Sequence, residues 1–113
     1  MKQIQIEGTL PVSIKKMVGQ TEVKLRNVVM RQVTSIEYLQ AQALMEPGQF
    51  ISIADLASMT KLVDEAGHEH EITYDMLGHS SSANLKYLEE KRTELIAKEA
   101  AESSSEEQES SEI

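Results

Sequence analysis

The chain has 113 residues, 40% of them hydrophobic, a length that normally forms one domain. It has no cysteine, which excludes disulfides, thiolate nucleophiles and cysteine metal ligands. No apolar run approaches the roughly 20 residues that a membrane-spanning helix needs, and we expect no secretory signal. Residues 99–113 carry six of the 19 acidic residues and no basic one, which leaves 13 acidic and 11 basic residues elsewhere. This balance argues against non-specific nucleic-acid binding.

The first third of the sequence alternates in the way that β-strands do. Apolar residues recur at every second position between Ile4 and Ile14, with an interruption at Gly8. After a short turn the alternation resumes, and its phase slips by one residue at Asn27, as a β-bulge would cause. We predict an antiparallel hairpin or small meander over residues 3–31.

A helical period follows the predicted strands. Thr34 and Glu37 form a T-x-x-E capping box, in which each side chain satisfies a backbone N–H of the other residue. Pro47 cannot continue a helix, so we expect this one to end before it. Its apolar residues share one face: Ile36, Leu39, Ala43 and Leu44.

Three more helices are predicted. The second covers residues 52–63 with Ser52 as its cap, the third is a short turn of helix around residues 72–77, and the last covers residues 83–99. The second and last helices have apolar stripes, made of Ile53, Leu56, Met59 and Val63 in the former and of Leu85, Leu88, Leu95 and Ile96 in the latter.

Strands that precede helices, rather than alternate with them, indicate an α+β fold. The predicted architecture is a single domain over residues 1–100, with a hairpin or meander followed by about four helices. Residues 101–113 are rich in Ser and Glu and bury too little to fold, so we predict a disordered acidic tail.

All three histidines, His68, His70 and His79, lie close together in the sequence among acidic residues. This spacing raises the possibility of a metal site or a small metal-dependent enzyme. A catalytic zinc site needs about three fixed ligands, and the H-E-x-x-H pattern is missing. Because Gly67 and its neighbours favour a loop, we interpret the cluster as a solvated turn and expect no metal, no cofactor and no catalytic residue.

The segments "VKLRNVVMRQVTSIEYL", "IADLASMTKL" and "ITYDML" occur in the order strand, helix, helix. Over residues 3–95 this arrangement resembles the small tail assembly chaperones of tailed bacteriophages, in particular the Mu-like and P2-like group. In that family a strand closes on an arginine, matched here by Arg31, and a Pro-Thr motif leads into a helix. Thr34 matches the threonine, whereas Val33 stands where the family often has proline.

The resemblance implies a non-enzymatic function. The chain would bind the tape measure protein and keep it soluble during tail assembly, in the host cell cytoplasm, and would be absent from the mature virion. It also implies a second partner, a frameshifted longer form of the same chain, and no partner that is nucleic acid or membrane. A generic cytoplasmic interaction domain is the alternative that needs no resemblance.

A chaperone for a long helical protein needs apolar surface that its own core leaves free. The second and last helices carry more apolar residues than one packing stripe requires. We expect partner contacts at Met59 and Ile96, and also at Ile53 and Leu62. The basic hairpin around Lys15, Lys24 and Arg26 is the alternative surface.

Overall fold

The computed structural model describes residues 4–111, and side chains are described as far as residue 103. Four strands form one antiparallel sheet in the order of the sequence: β1 (Gln5–Val18), β2 (Thr21–Arg31), β3 (Thr60–Val63) and β4 (Glu69–Glu71). The helices are α1 (Ser35–Ala43), α2 (Ile51–Met59), α3 (Tyr74–Gly78) and α4 (Ser82–Ser111). The predicted α+β class is confirmed, and the sheet is larger than the predicted hairpin.

The second helix ends earlier than predicted. It stops at Met59, and Thr60–Val63 form a strand in which Leu62 pairs with Val28 of β2. Buried and half-exposed residues alternate through this strand, a period of two that the apolar spacing had hidden. The predicted cap Ser52 is also wrong, because the N-cap position is Phe50 and has no side-chain hydrogen bond.

The core lies between one face of the sheet and helices α2, α3 and α4. Its buried residues are all aliphatic or Met, so packing here depends on side-chain shape rather than on aromatic rings. The members are Leu10, Ile14, Leu25, Val28, Met30, Leu56, Met59, Leu62, Ile72, Leu77, Leu88 and Leu95.

Strand β1 is interrupted by a large bulge. Thr9 pairs with Asn27 and Ile14 pairs with Leu25, so residues 10–13 all lie opposite Arg26. The register slip predicted at Asn27 is therefore found next to the pair Thr9–Asn27. The extra residues are in β1, however, rather than in β2. Residue 11 is a proline, which has no N–H to give to a strand ladder.

Helix α4 runs along the outer edge of β1 and satisfies the backbone that the bulge leaves unpaired. The Asn84 amide accepts from Val12 N–H at 3.0 Å and donates to Val12 O at 2.9 Å. Thr9 N–H donates to Tyr87 Oη at 2.9 Å, and Lys98 Nζ donates to Gln5 O at 3.0 Å. The helix and the strand are antiparallel. The helix rises about 21 Å between residues 84 and 98, and the strand rises about 23 Å between residues 5 and 12, at 1.5 and 3.3 Å per residue.

The interruption at Gly8 has a steric cause. A Cβ atom placed on Gly8 would overlap the hydroxyl of Tyr87, which accepts the neighbouring Thr9 N–H. Glycine lets α4 approach β1 closely enough for that hydrogen bond to form.

Helix α4 is longer than predicted. It was expected to end near Glu99, whereas its backbone is helical to Ser111, and residues 112–113 of the predicted tail lie outside the described residues. Ala100, Ala101 and Glu102 have high helix propensity and favour continuation past Glu99, whereas the five serines of residues 103–111 are weaker helix formers, so we expect the last turns of α4 to fray in solution. The division into a domain and a disordered tail at residue 101 stays a prediction.

Replacing Asn84 tests the contact between α4 and the bulge. Asn84→Ala leaves Val12 N–H and C=O without their partner, and we expect a loss of about 2–4 kcal/mol in the free energy of unfolding. Asn84→Asp should be destabilising too, because one carboxylate oxygen then faces Val12 O. Urea unfolding measures both, with the exposed Lys86→Ala as control. A loss below about 1 kcal/mol for Asn84→Ala would contradict this role.

Removing residues 102–113 tests the tail. The core of α4 ends at Leu95, so we expect the melting temperature to stay within about 5 °C, which corresponds to roughly 1 kcal/mol for a domain of this size. Solubility should fall because five carboxylates are lost. In the full chain, amide hydrogens of residues 102–111 should exchange without protection, and slow exchange there would show a stable helix.

Candidate partner-binding surface

Helix α1 turns its apolar face to solvent. None of its residues is buried, and Ile36 and Leu39 are 69% and 60% exposed. The side of the helix that is half-buried carries Tyr38 and Ala41 instead. The four residues predicted to share a face are all exposed, so none of them contributes to the core.

The connection from α1 to α2 extends this exposed apolar region. Leu44 caps the C-terminus of α1 and is 83% exposed, and Phe50, at the start of α2, is 66% exposed. We call Ile36, Leu39, Leu44 and Phe50 the α1 surface. Large apolar side chains exposed along one helix and the connection that follows it often mark an interaction site.

A concave groove lies beside the α1 surface. It has a volume of about 400 Å³ and is lined by α1, α2 and the segment after β4, including Ala41, Met45, Ala54 and Ile72. Leu44 belongs to both the α1 surface and this groove. A side chain inserted next to α1 therefore has space to enter.

The charge around the α1 surface is negative. Residues 32–60 contain no Lys, Arg or His, whereas Glu37 and Glu46 lie there with exposed side chains. Hydrogen bonds from Thr34, the backbone N–H first, lower the pKa of Glu37, so this carboxylate is charged at neutral pH. The capping box predicted from the sequence is formed, with Thr34 N–H to Glu37 Oε1 at 2.9 Å and Glu37 N–H to Thr34 Oγ1 at 3.2 Å.

The residues predicted to contact a partner lie elsewhere. Leu62 and Met59 are in the core, with 0% and 6% of their surface exposed, so neither offers a contact surface in this fold. Ile53 is half-buried against the same core, and Ile96 on α4 is 48% exposed. Sequence periodicity found the apolar face of α1 but could not show that this face points outward.

Asp64 organises the turn between β3 and β4, where two of the histidines lie. Its carboxylate accepts His68 N–H at 2.8 Å and is 2.9 Å from His70 Nε2. These contacts, that with His70 first, lower the pKa of Asp64. The segment predicted as a loop is thus a tight hairpin whose second strand includes His70, paired with Leu62.

The third histidine does not join this turn. His79 caps the C-terminus of α3, and Ser81 Oγ then accepts Ala83 N–H at the start of α4. Among the residues whose side chains the structure describes, no group of three or more His, Cys, Asp or Glu could hold a metal ion.

A second ion pair joins the far end of β2 to β4. The Arg31 guanidinium contacts both carboxylate oxygens of Glu69 at 2.6 Å and donates to Gln5 Oε1 at 2.8 Å. The arginine lowers the pKa of Glu69, and Glu69 raises the pKa of Arg31. Arg31 thus ties three strands together.

Comparisons with known proteins do not place the chain in a family. Protein-family models, curated proteins and solved structures all give no match. Among the described residues, no helix is long and apolar enough to cross a membrane.

Acid should loosen the β3–β4 hairpin. The folded pKa values of Asp64 and Glu69 lie below their unfolded values, so both carboxylates stabilise the fold above about pH 4 and lose that contribution as pH falls through the lowered values. We expect Asp64→Asn and Glu69→Gln each to lower the melting temperature at pH 7 and to flatten its decline toward pH 3. Glu90→Gln on α4 is the control. An unchanged acid profile in both variants would contradict the assignment.

Proposed function

We propose that this protein is a non-enzymatic tail assembly chaperone that binds the tape measure protein of a tailed bacteriophage through the α1 surface. The observation that carries the proposal is the outward apolar face of α1. The resemblance over residues 3–95 supplies the identity of the partner, and the exposed side chains supply a place for it to bind.

Covering the α1 surface would release a useful amount of free energy. Fully burying a Leu, Ile or Phe side chain is worth about 1.5–3 kcal/mol, and four such residues are more than half exposed here. Part of this gain is offset by the loss of translational and rotational freedom on binding. The resulting moderate free energy of binding suits a protein that holds an aggregation-prone partner and later releases it.

The α1 surface is presented on a stable support. The capping box fixes the first turn of α1, and Phe50 N–H donates to Tyr74 Oη at 2.7 Å, which joins the start of α2 to α3. A helix that is already formed loses little conformational entropy on binding. The partner therefore meets an ordered apolar face rather than a loop.

A longer frameshifted form would carry the same α1 surface if its extension follows α4. Both forms would then bind the same segments of the tape measure protein, and the acidic end of the shorter form would help to keep the complex soluble. The proposed site of action is the host cell cytoplasm, with no copy retained in the mature virion.

Co-expression with the tape measure protein of the same phage tests the proposal. Tagged wild-type chain should keep the partner in the soluble fraction and co-purify with it. The double variant Ile36→Gln/Leu39→Gln should melt as the wild type does, since these side chains are outside the core, and should lose most of the captured partner.

Ile96→Gln is the matched control, because it makes the same kind of change at an exposed apolar residue of α4. It should fold and capture normally. If the α1 double variant still captures the tape measure protein and Ile96→Gln does not, the binding site lies on α4. Failure of the wild-type chain to solubilise or retain the tape measure protein would refute the proposed function.

A further inference from the structure

We infer that the segment bound at the α1 surface is an amphipathic helix with Lys or Arg on its polar side. This inference deepens the proposed function, and it rests on that function for the identity of the protein that carries the segment. Its basis is the combination of one apolar helical face, a groove beside it and a negative border.

The shape fits a short helix. Helix α1 has nine residues, about 13 Å at 1.5 Å per residue, and Phe50 adds apolar surface beyond its end. A partner helix of about three turns would match this length. Apolar side chains along one stripe of that helix would contact Ile36 and Leu39, which lie three residues apart on α1, and Leu44 borders the groove beyond the end of α1.

The charge favours a basic partner. Glu37 and Glu46 are on α1 and on the turn after it, and no basic residue occurs between residues 32 and 60. One lining residue of the groove is positive, Lys61, which lies 3.8 Å from the Glu71 carboxylate directly across from it in the sheet. A second cation, Lys16, donates to Glu71 O at 2.8 Å, so both lysines are held at Glu71, whereas Glu37 and Glu46 are on α1 and the turn after it. Lys or Arg beside the apolar stripe of a partner would face carboxylates, whereas Asp or Glu there would be repelled.

The same charges disfavour a second copy of this chain as the occupant. Two α1 surfaces placed together would bring the Glu37 and Glu46 residues of both copies to a shared border. Each copy also carries a formal net charge of -8. Like charges across an interface oppose association, so a partner of opposite charge is preferred.

Two model peptides test the inference directly. They are 14-residue Leu/Lys and Leu/Glu amphipathic helices with the same apolar face, and their binding to the full chain is followed by fluorescence anisotropy. The Leu/Lys peptide should bind, and the Leu/Glu peptide should not. Leu39→Gln should weaken Leu/Lys binding about tenfold, because an apolar anchor is lost.

Variants that neutralise charge distinguish a specific effect of Glu37 and Glu46 from general attraction to an acidic protein. Glu37→Gln/Glu46→Gln should weaken Leu/Lys binding about fivefold, and the Gln side chain at residue 37 can keep the capping box. Glu89→Gln/Glu90→Gln on α4 changes the net charge equally at exposed positions and should weaken binding by no more than about twofold. Equal effects of the two pairs, or no effect of Leu39→Gln, would overturn the inference.

The same variants distinguish failure of the inference from failure of the proposed function. If Leu39→Gln abolishes capture of the tape measure protein while Glu37→Gln/Glu46→Gln leaves it intact, the function stands and the basic partner is wrong. If the peptides behave as expected but the tape measure protein is not captured, the proposed function is wrong. A wild-type dimer that Leu39→Gln dissociates, seen by analytical ultracentrifugation, would make a second copy the occupant and overturn the inference.

Discussion

The pairing of the Asn84 amide with both backbone groups of Val12 is the contact on which the rest of the fold depends. Residues 10–13 face one residue of β2, so they cannot complete the ladder, and unpaired backbone groups at a partly buried site are costly. Asn84 replaces the missing strand partner, and Arg26 Nε donates to Leu10 O at 3.1 Å from the other side. With the bulge stabilised, the hairpin bends, and Lys16 near its tip reaches Glu71 O of β4 at 2.8 Å.

This contact also decides where α1 can lie. Once α4 is fixed along β1, its Leu88 and Leu95 fill the core together with Leu56 of α2 and Leu77 of α3. These three helices cover the single core face of a sheet whose last two strands are short. Helix α1 is left to pack on α2 through its half-buried side, and its apolar residues remain in solvent. The surface proposed to bind a partner thus follows from how the core is filled.

The fold class and the capping of α1 could be predicted because they depend on short-range patterns. The Thr34–Glu37 capping box and the alternation of the hairpin need only neighbours in sequence. Residues 60–63 could not be assigned, because Leu62 lies three residues after Met59 and so continues the helical stripe, whereas the inward residue that makes a strand pattern with Leu62 is the polar Thr60. Pairing with β2 decides for the strand. The apolar face of α1 is visible in the sequence, but whether this face points inward depends on which helices fill the core. For the same reason Met59 and Leu62 were predicted at a surface and lie inside.

Helix α2, which carries α1, is joined to α4 through an imperfect polar contact. Asp55 is 3% exposed, its Oδ2 is 3.9 Å from Arg92 Nη1, and among the described residues its Oδ1 has no hydrogen-bond partner. A buried carboxylate with so weak a partner contributes little to stability, and apolar residues of similar size would often serve as well. With Asp55 near Arg92, α2 has one rotation about its axis. That rotation places Leu56 in the core and sets the side of α2 on which α1 packs.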